Sequence, residues 1–347
     1  MISCPSAAFN GFARFRSQYH RLDNPNFVME PLFSVIIPHR DIPDLLIRCL
    51  DSIPIRKEIQ VIVVDDNSLG TDSYLEKYPE LSRPYLEFYC TTKVGGAGYA
   101  RNIGLEHAKG KWLLFADADD FFVNDVYDII VSHIESEADV IYFKRKAVFS
   151  DDIDRESDRD RRINDYVDYF VETGDDYLLR FKRHVPWSMM IKRSLVVEHS
   201  IRFDEVLYSD DVFFSTCVGF YAKNIEVSNT ILYVVTFRQG SQCDDFCMKP
   251  GELEERARAA FRCDKFLSQH NMCRERFLKY FLLQMLGRDR RLFRYYYNKL
   301  DEIYPSKLSA FQDIARGKPM IFKLKLYIYF FILQVRNWIV LSPRFTM

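Results

Sequence analysis

An apolar segment that ends in three carboxylates has the clearest chemical meaning in this sequence. It runs from Trp112 to Asp120 as WLLFADADD, with its acids at Asp117, Asp119 and Asp120. Alternate side chains of an extended strand project to the same side, so Asp117 and Asp119 are expected roughly 7 Å apart. Carboxylates that close repel each other unless a proton or a cation lies between them, and oxygen ligands suit Mg²⁺ or Mn²⁺. The segment predicts a strand ending in a divalent-metal site, although an isolated pair of this kind is also typical of a capped helix.

The chain before this segment alternates between apolar strands and helices. Strands are predicted at 33–38, 59–66 and 86–91, and helices at 43–53, 71–78 and 95–108. This alternation indicates an α/β fold with a mostly parallel sheet covered by helices on both faces. Ligands of such sheets bind beyond the carboxyl ends of the strands. Polar residues stand at three of these ends: His39, Arg40, Asp41, Asp65, Asp66, Asn67 and the acids between Asp117 and Asp120.

The later part of the chain predicts further elements of both kinds. A helix from 124 to 135 precedes a strand at 139–149, and long helical patterns at 252–269, 274–286 and 289–298 predict a helical appendage. The run 151–162 mixes both charges and is interpreted as a solvated loop, with a mobile flap near an acceptor as the alternative. Residues 1–30 show no periodicity and are interpreted as a poorly ordered leader.

Composition limits the kinds of protein this chain can be. Its 347 residues are 48% hydrophobic and 28% charged, which is typical of a globular protein with a sizeable core. The net charge of −1 gives no reason to expect nucleic acid as a partner. The eight cysteines follow no framework spacing and no secretory signal precedes them, so a cytoplasmic location is predicted.

The segment 317–347 combines aromatic residues with five basic residues and no acid. Its longest uncharged stretch, 326–335, has ten residues, whereas a membrane span needs about twenty. Aromatic and basic side chains favour a helix that lies on an anionic membrane, and the expected contact runs through 318–341. A helix packed on the protein's own body is the alternative.

Taken together, the motifs resemble the inverting glycosyltransferases of family 2, which have the GT-A fold. The resemblance extends from Phe33 to about Ser241 and rests on VIIP (35–38), VVDDNS (63–68), ARNIGLEHAKGKWLLFADADD (100–120), RFDE (202–205) and SDDVFF (209–214). It implies a GT-A domain at 31–242, with a nucleotide-sugar half at 31–122 and an acceptor half at 123–242. A helical appendage at 243–316 and a basic aromatic tail at 317–347 would follow.

The resemblance also implies a site for a nucleotide-sugar. Asp65 or Asp66 would contact the base, with Asp65 preferred, and a carboxylate there accepts the imide N–H of uracil, so a UDP-sugar is expected. Arg101 would lie near the nucleotide at the start of a helix, where anions are favoured. Asp119 would bind the metal, and Asp117 would bind ribose or the metal. Asp120 is expected to cap the following helix. The full set of implied donor residues is Pro38, Arg40, Asp65, Asp66, Arg101, Asp117 and Ala118.

Inversion requires a base that takes the proton of the acceptor hydroxyl. By resemblance Asp211 would be this base and Asp210 its partner, although relatives more often have Glu at the first position. A helix cap is the alternative for this motif. Trp187 resembles an aromatic residue beside the acceptor sugar, and a core tryptophan is equally consistent with the sequence.

The implied function is metal-dependent transfer of a monosaccharide to a glycan or lipid-linked oligosaccharide in surface polysaccharide biosynthesis. A cytoplasmic enzyme, peripheral on the inner face of the plasma membrane, fits that role. Two alternatives stay open. One is a catalytically degenerate GT-A domain that acts as a scaffold. The other is a nucleotidyltransferase, which is disfavoured because such enzymes usually have a glycine-rich loop after the first strand.

Overall fold

A computed structural model describes residues 30–70, 74–158, 161–237 and 251–320, together with residues 323, 326–328, 330 and 331. The predicted leader, apart from Glu30, lies outside the described residues, as do residues 332–347 of the predicted tail.

The first half of the chain forms four parallel strands joined by helices. The strands lie in the order β3, β2, β1, β4, and His39 at the end of β1 is in register with Asp65 at the end of β2. Every residue of β1 and β2 is buried, as expected for strands covered on both faces. The elements are β1 Phe33–His39, α1 Pro43–Asp51, β2 Ile59–Asp65, α2 Tyr74–Lys77, β3 Leu86–Cys90, α3 Ala97–His107 and β4 Trp112–Phe115.

The second half continues the same sheet with mixed strand directions. β8 is antiparallel to both β4 and β6, whereas β6 and β9 are parallel, so parallel pairing dominates only in the first half. The predicted α/β class is confirmed. The elements are β5 Phe121–Phe122, α4 Val126–Ser132, β6 Val140–Phe149, β7 Asp152–Glu156, α5 Arg161–Thr173, α6 Tyr177–Phe181, β8 Met189–Lys192, α7 Arg193–Glu198, α8 Asp210–Tyr221 and β9 Ile225–Phe237.

Two apolar layers cover the sheet, one on each face. Alternate residues of β1 supply them: Val35 and Ile37 belong to one layer, and Ile36 belongs to the other. This alternation follows from the two-residue period of side chains along a strand. The helices between the strands therefore cover both faces of the sheet. The polar ends of the strands lie at one edge of it.

The prediction of a loop at 151–162 is wrong for much of the run. Residues 152–156 form β7, which pairs with β6 although all five of its residues are exposed, and α5 begins at Arg161. Pairing with β6 supplies backbone hydrogen bonds that the charged side chains do not disturb. The Arg155 guanidinium also lies 3.8 Å from the centre of the Phe149 ring, which anchors the hairpin.

The C-terminal helices build a third core of their own. They are α9 Glu252–Gln269, α10 Leu278–Arg288, α11 Arg290–Lys299 and α12 Lys307–Ala315. The buried Asp264 carboxylate accepts hydrogen bonds from the N–H groups of Phe277 and Leu278 at the start of α10. This arrangement agrees with the predicted helical appendage.

The described part of the predicted tail packs on these helices. Leu326 and Phe330, one helical turn apart, are buried in the third core. Here the structure favours packing on the protein's own body over the membrane alternative. No helix within the described ranges combines the length and apolar character needed to cross a bilayer. Membrane contact through the rest of 318–341 stays a prediction.

Candidate active site

The ends of β1 and β2 are joined by a buried histidine and carboxylate. The His39 Nδ1 lies 2.7 Å from Asp65 Oδ1, and the His39 Nε2 accepts the backbone N–H of Ile42. The ring proton is therefore on Nδ1 and is donated to Asp65. Both Asp65 oxygens also accept hydrogen bonds from Ser68, one from its hydroxyl and one from its N–H. Asp65 is fully buried and shapes the two loops beside it.

Asp66 shapes the loop that leads into α3. Its two oxygens accept the N–H groups of Gly95 and Gly96, each at 2.8 Å. The side chain is nearly buried, at 4% exposed, and Gly96 has a φ of 88°, which suits glycine. The two predicted base-binding acids thus shape the loops at the ends of β1 and β2, and their contact with a base stays a prediction.

The three carboxylates after β4 lie on a turn and not on an extended strand. β4 ends at Phe115, and the Asp120 N–H donates to the carbonyl of Asp117 at 3.0 Å. The expected extension of the strand through Asp117 and Asp119 is therefore wrong. Contacts with distant elements hold the turn, since Arg48 of α1 donates to the Asp119 carbonyl at 2.5 Å. The Tyr233 hydroxyl of β9 accepts the Asp117 N–H at 2.8 Å.

Asp120 does not cap the following helix, contrary to expectation. Its carboxylate accepts the N–H of Thr236 at 2.6 Å, which ties the turn to β9, and the short strand β5 follows before α4 begins at Val126. Burial raises the pKa of Asp120 well above its usual range, and the negative charges of Asp119 and Asp117 raise it further. Negative charge has therefore accumulated at this turn.

Arg101 joins the two halves of the domain through two short ion pairs. One of its nitrogens lies 2.5 Å from Asp117 of the turn, and another lies 2.5 Å from Asp210 of α8. The arginine is 5% exposed. Burial alone lowers its pKa, but the charges of Asp210 and Asp117 outweigh that effect and raise it. Arg101 therefore fixes how far the turn lies from the start of α8.

The predicted acid pair lies in the first turn of α8. Ser209 precedes it with a φ of 61° and makes no side-chain capping bond, so the capped-helix alternative does not explain the motif. Burial raises the pKa of Asp211 to about 8, with the Asp210 charge adding to the effect and Arg101 opposing it. These charge effects act at short range, so Asp117, Asp210 and Asp211 lie close together. Asp117 and Asp210, which are remote in the sequence, both pair with Arg101.

A glycine allows α3 to pack against the acid pair. A Cβ at Gly98 would overlap the Asp204 carbonyl oxygen and lie 2.9 Å from the Cβ of Asp210. The side chain of Asn102 holds the same junction by bonding to both the N–H and the carbonyl of Phe203. The spacing between Arg101 and Asp210 depends on this close approach.

We expect Gly98→Ala to lower turnover at least tenfold and to destabilise the fold by about 1–3 kcal/mol, because overpacking displaces α3 from α8. The matched control is Gly287→Ala, since a Cβ at Gly287 of α10 meets nothing within 4 Å. Steady-state rates and urea unfolding of both variants test this. Equal behaviour of the two variants would contradict the role given to this packing.

The remaining predicted site residues differ in their exposure. Arg40 is about half exposed at the carboxyl edge and pairs with Asp41. Pro38 and Ala118 are buried, so they offer only backbone near a ligand. Trp187 is 7% exposed, and its ring stacks with Tyr233 and with the guanidinium of Arg145, 4.1 Å from the ring centre. The core alternative for Trp187 is therefore favoured, because too little of the indole surface is open to stack on a sugar.

Three residues of the site had no clear signal in the sequence. His39 was noticed only as a polar strand end, and neither Arg48 nor the hydroxyl of Tyr233 was predicted to support the turn. Tyr233 lies 116 residues from Asp117. Local periodicity does not report such contacts.

The carboxylate oxygens at the turn suit a hard divalent cation. A bound substrate would supply the remaining ligands of that cation. In the described part of the chain, no three His, Cys, Asp or Glu side chains converge to hold a metal by themselves. Mg²⁺ and Mn²⁺ sites commonly use one or two carboxylates plus phosphate oxygens. Burial is the main cause of the raised pKa of Asp120, and the nearby charges of Asp119 and Asp117 raise it further. Asp119 and Asp117 are the predicted metal ligands, and Asp117 also pairs with Arg101.

A Rossmann-like sheet with acids at the carboxyl edge, extended by a mixed-direction second half, defines the GT-A class of glycosyltransferase domains. Residues 34–196 match the model of glycosyl transferase family 2, so this part of the chain is a family 2 glycosyltransferase domain. The predicted family and the predicted fold are therefore both confirmed.

Similar proteins support this assignment. The chain is 27% identical over 212 residues to the uncharacterized glycosyltransferase YibD of Escherichia coli, covering 58% of this chain and 60% of YibD. It is 28% identical over 237 residues to the poly(ribitol-phosphate) beta-N-acetylglucosaminyltransferase TarS of Staphylococcus aureus, covering 64% of this chain and 39% of TarS. The structure of TarS 1–349 with UDP-GlcNAc superposes with a TM-score of 0.57 at 21% identity, covering 80% and 82% of the two chains. This last likeness concerns the fold.

Proposed function

We propose that this protein transfers a monosaccharide from a UDP-sugar to a hydroxyl of a glycan acceptor, with inversion at the anomeric carbon. The bridge that Arg101 makes between Asp117 and Asp210 carries this proposal. It brings the acidic turn, suited to a nucleoside diphosphate and its cation, next to an acid pair suited to proton transfer. This proximity supports the proposal that both substrates bind at one edge of the sheet.

The donor half of the proposal rests on the position of Asp65 and Asp66 at the carboxyl end of β2. A carboxylate there accepts a hydrogen bond from the uracil imide, and the exposed Arg40 offers a positive charge at the same edge. TarS, a relative, has been crystallised with UDP-GlcNAc. We therefore propose a UDP-sugar as donor, with an N-acetylhexosamine or a hexose as the first candidates.

A divalent metal, Mn²⁺ or Mg²⁺, completes the proposed donor site. Asp119 would hold it, with Asp117 as the second oxygen donor on the same turn. When bound, such a cation neutralises the charge that develops on the departing diphosphate. Arg48 and Tyr233 keep the turn in place for this purpose.

Asp211 is the proposed base. Its carboxylate takes the proton of the acceptor hydroxyl while the hydroxyl oxygen forms a bond to the anomeric carbon. The bond from that carbon to the diphosphate oxygen breaks on the opposite face, and UDP leaves with the bonding electrons. An α-linked donor then gives a β-linked product, which agrees with the beta linkage in the names of two relatives.

For the acceptor we propose a glycan or polyol-phosphate polymer, free or lipid-linked, of the kind used in surface polysaccharide synthesis. Two relatives are named as poly(ribitol-phosphate) glycosyltransferases. The scaffold alternative differs in one respect, because a degenerate domain would bind a UDP-sugar without turning it over. A nucleotidyltransferase would instead release pyrophosphate.

A donor screen tests the proposed function. UDP release is measured for a panel of UDP-sugars with Mn²⁺ or Mg²⁺ in the presence of extracted lipid-linked glycans, with products identified by mass spectrometry. We expect one donor to give acceptor-dependent UDP release and a β-linked product. Binding without release would favour the scaffold, and pyrophosphate release would favour the nucleotidyltransferase.

The pH profile of kcat/KM should reflect the unusual Asp211. A raised pKa of about 8 leaves about a tenth of this base ionised at pH 7, so kcat/KM should fall about tenfold per pH unit below 8. Asp210→Asn removes the negative charge beside Asp211 and should move the acidic limb of the kcat/KM profile to lower pH. Asp210→Glu keeps the charge and serves as the control. A limb that stays in place in Asp210→Asn would rule out Asp211 as the titrating base.

A further inference from the structure

A cavity of about 530 Å³ lies in the helical appendage, separate from the carboxylates of the candidate active site. It is formed between α9 and α11. Its size is within the range of small-molecule sites, roughly 300–1,000 Å³. The side chains that give it its character are Phe261, Tyr295, Tyr296, Arg258, Arg291 and Lys299.

Aromatic rings form one part of the cavity wall. Tyr295 is 52% exposed, and the Lys299 ammonium lies 4.7 Å from its ring centre and 5.5 Å from that of Phe261. Exposed aromatic rings stack on the C–H faces of sugars, and tyrosine adds a hydroxyl that bonds to polar groups. These surfaces suit a carbohydrate better than a purely apolar ligand.

The charge of the cavity favours a negatively charged ligand. Its two acids are already engaged, since Asp289 accepts the N–H groups of Arg291 and Leu292 at the start of α11, and Glu254 pairs with Arg258. Arg291 has no ion pair among the residues that the structure describes. A guanidinium in this position forms charge-assisted hydrogen bonds with a phosphate or a carboxylate.

Helix α9 connects this cavity with the acid pair. Phe261 and Arg258 face the cavity, while Arg262 pairs with Asp204 and Glu255 accepts the N–H of Tyr208, both in the segment before Asp210. A helix with its side chains is about 10–12 Å across. A polymer bound in the cavity would therefore lie about one helix width from the segment that presents the base.

We propose that the cavity is a second glycan-binding site, which holds an anionic segment of the acceptor polymer. This inference rests on the proposed function, since it takes the bound polymer to be the acceptor. Holding one part of a polymer raises the effective concentration of its other hydroxyls near Asp211. The cavity thereby favours polymeric over short acceptors.

Direct binding to the full chain tests the site without any donor. Calorimetric titrations use three probes: a polyol-phosphate oligomer, an oligogalacturonate and neutral maltohexaose. We expect Arg291→Glu to weaken binding of the preferred anionic probe at least tenfold, and Tyr295→Ala to weaken it severalfold. Arg294→Glu, an exposed arginine one turn along the same helix, is the matched control and should change binding less than twofold. Whichever anionic probe binds more tightly identifies phosphate or carboxylate as the recognised group.

Three results would overturn the proposal: no binding of either anionic probe, equal binding of maltohexaose, or equal effects of Arg291→Glu and Arg294→Glu. Kinetic measurements distinguish failure of the second-site proposal from failure of the proposed function. With a working cavity, Arg291→Glu raises KM for the polymeric acceptor and leaves kcat and the donor KM unchanged. Normal turnover together with an unchanged polymer KM would refute the second site alone. Absence of turnover in the unmodified protein would refute the function while the binding titrations still judge the cavity.

Discussion

Asp211→Asn should bind UDP with near-normal affinity while kcat falls by about 10²- to 10⁴-fold, the usual contribution of a general base. The amide keeps the size of the side chain and cannot accept the proton of the acceptor hydroxyl. Asp211 lies beside Asp210 and Arg101, and substitution should leave their ion pair intact. Steady-state UDP release and calorimetric UDP binding measure the two effects separately.

A suitable control is Asp128→Asn, because Asp128 is an exposed carboxylate in the first turn of α4, as Asp211 is in α8. Its kcat should stay within twofold of the unmodified protein. An unchanged kcat in Asp211→Asn would place the base elsewhere. A large loss of UDP binding would instead assign Asp211 to the donor site.

Asp119→Ala should lower kcat by about 10²- to 10³-fold or more, because a metal contributes several kcal/mol to stabilising the leaving diphosphate. The fold should remain intact. The Asp119 charge is among the causes that raise the pKa of Asp120, so its removal relieves repulsion in a buried turn. We therefore expect the variant to stay folded without metal and to lose the stabilisation that UDP and Mn²⁺ give jointly.

Asp125→Ala provides the comparison, since Asp125 lies just after the acidic turn and makes no capping hydrogen bond to α4. Rates and thermal unfolding with and without UDP and Mn²⁺ are measured for both variants. Near-normal activity of Asp119→Ala would refute the metal assignment. A large fall in its Tm would mean that Asp119 supports the fold instead.

The first half of the fold was readable from the chain because most of its strands are largely apolar runs. β1 and β2 are buried along their whole length, and apart from Ser34 and Gln60 their residues before the last position are apolar. The same reasoning misjudged residues 152–156, whose charged side chains are all exposed while the backbone pairs with β6. Backbone pairing leaves no mark on side-chain composition, which explains the error.

The acidic turn shows a similar limit. Its composition predicted a charged end to a buried strand, and this was correct. The chain reverses after Phe115 because Arg48, Tyr233 and Thr236 bind the turn from other elements. Those contacts convert an expected extended pair into a turn, and they redirect Asp120 from a helix to β9.

The amino-acid sequence by itself determined the family, the α/β class and the set of acids from which a site can be built, because motifs and apolar runs are local properties. Only the tertiary structure decided which of these acids meet. Arg101 and Asp210 are 109 residues apart, and their ion pair exists because α3 packs on α8 at Gly98. Packing also placed Trp187 in the core and opened the cavity between α9 and α11. Distances between remote residues depend on how whole elements pack, and no local pattern encodes them.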